Sequence, residues 1–95
     1  MKLSIYSLKN ILFQGNASLL NCKTVMGEIT VLDNHETLIT VLSAGVIKIV
    51  AASPEGETSL APSGRDENNK EQFFPIKSGF LEVKPGNEVR CIVEQ

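Results

Sequence analysis

Apolar and polar residues alternate with a period of two along most of this chain, and almost nowhere recur at the i, i+3, i+4, i+7 spacing of an amphipathic helix. In KLSIYS, Leu3 and Ile5 alternate with Ser4 and Tyr6, as in a half-buried strand. A second strand is predicted over roughly 18–25. After Met26-Gly27 come EITVL, then TLITVL beyond a polar corner, then VIKIV beyond Ser43-Ala44-Gly45. Three strands in such close succession predict an antiparallel meander.

The carboxyl-terminal stretch FFPIKSGFLEVKPGNEVRCIVE predicts three more strands, with Leu81 and Val83 on one face and Phe80, Glu82 and Lys84 on the other. Lys84-Pro85-Gly86-Asn87 carries the chemistry of a type II turn: proline presets the first corner position and glycine accepts the positive φ of the second. A hairpin should therefore join Val83 to Val89. Pro75 cannot donate to a ladder, so its strand should lie at an edge or leave that amide position facing solvent. Between the two halves, residues 52–72 are rich in Pro, Gly, Ser and charge with little to bury, and predict a long mobile loop. Eight or more short strands without a helix predict a single all-β domain over residues 1–95, a β-sandwich or closed barrel.

Composition narrows the possible functions. A chain of 95 residues supports one modest core, built here from Val, Ile and Leu because aromatics are few and tryptophan is absent. The formal charge of −2 and the absence of any Lys/Arg stripe argue against nucleic acid as a partner. In the amino-terminal MKLSIYSLKNILF, Ser4, Ser7, Lys9 and Asn10 interrupt each apolar run, so no export signal is expected and the Asn16-Ala17-Ser18 sequon carries no weight. Every apolar stretch falls far short of the roughly 20 residues of a membrane helix, so direct insertion is not expected. Cys22 and Cys91 form neither a CxxC pair nor a zinc knuckle. Each lies in phase with apolar neighbours, which predicts two reduced, buried thiols.

The one histidine, His35, lies in LDNHETLI with Asp33 and Glu36. A catalytic role would need a nucleophile or a pocket nearby, and a metal role would need ligands that Asp33, His35 and Glu36 are too closely spaced to supply together. Neither an active site nor a cofactor is expected. Without them the corner reads as a tight turn in which Asp33 and Asn34 bond local amides.

Two ordered motifs give a more specific reading. GEITVLDNHETLITVLSAGVIKIV, residues 27–50, and SGFLEVKPGNEV, residues 78–89, resemble the epsilon subunit of F-type ATP synthases, called delta in mitochondria. Leu3, Ile5, Phe13 and Gly15 stand in the matching order at the amino terminus. The resemblance implies a sandwich of about ten short strands on the rotor of a proton- or sodium-translocating synthase. It would dock between the gamma subunit and the c-ring at the cytoplasmic face of the membrane, with no active site of its own. By resemblance Glu28 would face the polar loops of the c-ring, setting orientation more than affinity. His35, Thr40 and Ser7 would lie toward gamma. The sequence departs from the family pattern at the corner, where Asp33 replaces a usual proline and Glu36-Thr37 replace Ala-Pro, and in the long segment 52–72. These residues also hold no counterpart of the helical hairpin that follows the sandwich in bacterial and chloroplast members, so its restraint of ATP hydrolysis is not assigned to them. A stand-alone protein-binding module of the same fold is the alternative.

Overall fold

A computed structural model of the chain describes residues 1–52 and 71–95. Eight strands form among them: β1 (Lys2–Tyr6), β2 (Ile11–Thr24), β3 (Gly27–Leu32), β4 (Leu38–Leu42), β5 (Gly45–Ala51), β6 (Glu71–Ile76), β7 (Ser78–Lys84) and β8 (Glu88–Glu94). The all-β sandwich expected from alternation is the observed architecture, with eight strands among the described residues rather than about ten. Residues 53–70 of the predicted loop lie outside the described residues. Its far end differs from expectation, since Glu71 and Gln72 already belong to β6, paired with Val50 and Ile49 of β5.

The layers are set by β2, which runs for 14 residues, further than its apolar pattern suggested. Its first half pairs with β1, and its second half, beyond a register irregularity between Ala17 and Leu19, lies between β3 and β5. One layer therefore runs β2–β1–β8–β7–β4 and the other β3–β2–β5–β6, and they meet again where Thr24 pairs with Leu42. All pairings are antiparallel except β1 with β8. The inward phases of both layers, among them Leu3, Ile5, Leu20, Ile47, Ile49 and Leu81, form one buried cluster.

The predicted meander is absent. β3 pairs with β2, β5 with β2 and β6, and β4 leaves for β7 in the other layer. The reason is that β2 offers both of its edges, so the strands that follow it in sequence flank it instead of each other. The polar corner is consequently a crossover between layers and not a hairpin turn.

Other sequence expectations match the structure. Leu81 and Val83 are buried while Phe80 is exposed. Val83 pairs with Val89 across the Pro85-Gly86-Asn87 turn, and Gly86 takes φ +85°, the value the second corner of a type II turn requires. Asn87 follows at φ +61°, a left-handed conformation that asparagine tolerates well. Pro75 lies in β6 at the end of the strand order. Gly79 is required by a close approach: a Cβ there would stand 2.6 Å from the carbonyl oxygen of Ile92 and 3.0 Å from Cα of Val93.

Candidate functional site

Glu28 is held by the β2–β3 hairpin. Thr24, the one buried polar residue among those described, shapes that turn: its hydroxyl donates to the Gly27 carbonyl at 2.8 Å and accepts from the Met26 amide at 3.0 Å. The tip leaves Val25 and Met26 exposed, Met26 at 87%. Glu28 stands just behind it, exposed, directly across the ladder from Lys23. A carboxylate beside an apolar tip can meet a basic, partly apolar loop.

The other three residues lie elsewhere. His35 is exposed in the β3–β4 crossover, with its amide donating to the Leu32 carbonyl at 3.2 Å and its Nδ1 lying 2.8 Å from the Glu36 carbonyl. A carbonyl only accepts, so this contact is a hydrogen bond in the tautomer that places the proton on Nδ1. Ser7 shapes the β1–β2 turn. Its Oγ accepts from the amides of Lys9 and Asn10 at 3.3 and 3.1 Å, and its own amide donates to the Asn10 carbonyl. Thr40 is half-buried on β4 opposite Leu81, a fully buried residue, and therefore turns its side chain toward the core. Ser7 follows the end of β1, whereas the His35 corner adjoins its beginning, about 13 Å away at strand rise. The four residues thus form no single constellation.

The corner carries a network that local sequence does not reveal. The buried amino group of Met1 donates to the Ala17 carbonyl at 2.9 Å and to Asp33 Oδ1 at 2.5 Å. Asn87 Nδ2 also approaches Asp33 Oδ1, at 3.4 Å, and Asn87 Oδ1 accepts from the Asn34 amide at 2.7 Å. The Lys2 amide donates to the Asn87 carbonyl. Asp33 thus ties the crossover to the start of β1 and the β7–β8 turn. The hydrogen bond and charge of the Met1 amine, with the Asn87 amide, hold its carboxyl below the usual carboxylate range. Asn34 takes φ +62° within this network.

Chemistry of other kinds finds little support in the geometry. Among the described residues, no three His, Cys, Asp or Glu side chains gather as a metal would need. Cys22 and Cys91 are buried free thiols, as predicted, and desolvation pushes them up to about 11 and about 12. No helix among the described residues is long and apolar enough to cross a membrane.

The architecture is shared with known proteins. The family model of the ATP synthase Delta/Epsilon chain, beta-sandwich domain, matches residues 1–95. The chain is 31% identical over 85 residues to an ATP synthase epsilon chain of Nitrosococcus oceani and 28% identical over 85 residues to one of Acinetobacter baumannii. Each match covers 90% of this chain and 50% of the relative. The chain therefore spans half the length of the curated relatives it matches. Among solved structures, it superposes with TM-score 0.73 and 18% identity on a chain of the Tetrahymena thermophila mitochondrial ATP synthase central stalk/c-ring, covering all of this chain and 63% of that one. With a chain of the Euglena gracilis mitochondrial ATP synthase OSCP/F1/c-ring structure the TM-score is 0.77 at 19% identity, covering all of this chain and 51% of that one. These likenesses show the fold, and the family match over its full length identifies the chain as a member of the ATP synthase delta/epsilon chain β-sandwich family, a family of non-catalytic subunits.

Proposed function

We propose that the chain serves as a central-stalk rotor subunit of a proton- or sodium-translocating F-type ATP synthase. In that role it docks the gamma subunit to the c-ring and couples ion flow to nucleotide chemistry performed elsewhere. The observation that carries this reading is the family match over residues 1–95. The arrangement of the surface supports it: Glu28 and the Val25–Met26 tip offer a contact suited to c-ring loops, well separated from the His35 corner. The subunit acts without a cofactor, as part of a peripheral complex at the cytoplasmic face of the membrane.

The acidic corner no longer favours the stand-alone module. Asp33 is accounted for by its ion pair with Met1, which rigidifies the corner where relatives of the usual pattern carry proline. The experiment is reconstitution of the chain with purified gamma subunit and c-ring. Glu28→Lys is expected to weaken c-ring binding and leave gamma binding and the fold intact. Unchanged c-ring binding would remove Glu28 from the interface.

A further inference from the structure

The start of β1 is built into the sandwich and not laid on its surface. β1 is flanked on both sides, antiparallel to β2 and parallel to β8. The Met1 side chain belongs to the buried core. Its backbone is gripped at both ends: the Ala17 amide donates to the Met1 carbonyl at 2.9 Å, and the Met1 amine donates to the Ala17 carbonyl at 2.9 Å. The amine is itself buried and meets Asp33 Oδ1 at 2.5 Å. The next nitrogen along the chain, the Lys2 amide, is committed to the Asn87 carbonyl at 3.0 Å. β2, the β3–β4 crossover and the β7–β8 turn therefore converge on the first two nitrogens of β1 and its approach.

We infer that this corner is a recognition site for a free ammonium on Met1, closed only when that nitrogen carries no acyl group. Charge is the first reason. Acylation turns the ammonium into a neutral amide, which keeps one N–H for two acceptors, Ala17 and Asp33, and supplies no counter-charge to the carboxylate. Room is the second. An acyl carbon would have to enter a buried position already bordered by oxygens at 2.9 and 2.5 Å. The third reason is the contrast with other acids. Among the described residues, Glu71 and Glu82 pair with the exposed side chains of Lys48 and Arg90, whereas Asp33 meets a buried cation. A buried ammonium depends on its partner far more than a surface lysine does. Loss of Met1 is no substitute for a free amine, because it empties a core position and moves the amine to the Lys2 nitrogen, which serves Asn87. A chain begun with N-formylmethionine therefore reaches this structure only after a hydrolysis of the deformylase class. The formyl C–N bond breaks and one water is consumed. Its oxygen goes to formate and its two protons to the nitrogen, which becomes the ammonium that Asp33 receives.

The test compares full chains assembled from a synthetic segment 1–21 and a segment 22–95, ligated at Cys22. Met1 is left free, Nα-formylated or Nα-acetylated, and each form is made with Asp33 and with Asp33→Asn. With Asp33 in place, either acyl group is expected to lower the folding equilibrium at least tenfold, a fall of about 5 to 11 °C in melting temperature for a domain of this size. Hydrogen exchange at the Ala17 and Lys2 amides should quicken with it. In the Asp33→Asn background the same groups should shift the melting temperature by less than half as much, because the counter-charge is already gone. Equal melting of the free and acylated chains with Asp33 overturns the inference. So does an equal loss in both backgrounds, which assigns the effect to crowding alone. If the acylated chain with Asp33 does not fold while its free counterpart does, folding of the acylated Asp33→Asn chain supports the ammonium site, and failure of that chain too overturns it.

Discussion

Asp33 Oδ1 lies 2.5 Å from the amino group of Met1, joining residues 32 positions apart across the mouth of the sandwich. The amine is buried and the carboxylate is half exposed. Asparagine keeps an oxygen that can accept from the amine but removes the counter-charge of a buried ammonium, which makes the loss larger than that of an ordinary surface pair. Asp33→Asn is therefore expected to lower the melting temperature and to speed hydrogen exchange of the Asn34 and Lys2 amides, both read by exchange mass spectrometry.

The same pair sets an acid dependence. The carboxyl of Asp33 is lowered in the folded chain from its ordinary 3.8, so its contribution is complete above that pH and disappears as pH falls through the lower folded value. The difference in melting temperature between wild type and Asp33→Asn should be constant near neutrality and close below pH 3.8. A difference that persists unchanged to pH 2, with both proteins still folded, would show that the carboxylate charge is not its source.

At the alkaline end the thiols dominate. Cys22 and Cys91 are raised from 9.0 to about 11 and about 12 by burial, so the stability they contribute is complete below pH 9.0 and is lost as pH rises through the folded values. At pH 8 the folded chain should resist a thiol reagent that modifies both cysteines in denaturant, because the reactive species is the thiolate. Double substitution by alanine should flatten the fall in stability above pH 9.

Gly79→Ala should be among the most damaging conservative changes. The new methyl would meet backbone atoms of Ile92 and Val93 that cannot step aside without breaking the β7–β8 ladder. Overpacking of this kind costs about 1 to 3 kcal/mol. Chemical denaturation read by circular dichroism measures it, and a variant within 0.5 kcal/mol of wild type would mean that the strands can separate locally; that threshold is roughly the spread of neutral surface changes.

What the sequence disclosed was local. The phases of Leu81 and Val83 against Phe80, and the turn at Pro85-Gly86, follow from side-chain alternation and dihedral preference within a few residues. Strand partnership does not. Gln14, Gly15 and Asn16 are three consecutive exposed residues in the middle of β2, and they hide a strand that serves both layers. The local reading assigned Asp33 to amides of its own turn, but its partners are Met1 and Asn87, 32 and 54 positions away. Phe80 and Ile92 each look like a solitary exception in the polar phase of a strand, and only register aligns them with each other and with Val41 and Ile11. Among the candidate site residues, Glu28 was named by resemblance alone, and its exposed place beside a hairpin tip is visible only in the structure. The sequence could not show that Ser7 is committed to its own turn or that Thr40 faces inward.

The rotor reading is tested most directly by sizing chromatography of this chain mixed with the gamma subunit of the same organism, each also run alone. The account predicts one stoichiometric complex at micromolar concentration. Two separate peaks, with both proteins folded, would contradict it and assign the sandwich to a binding role outside the synthase.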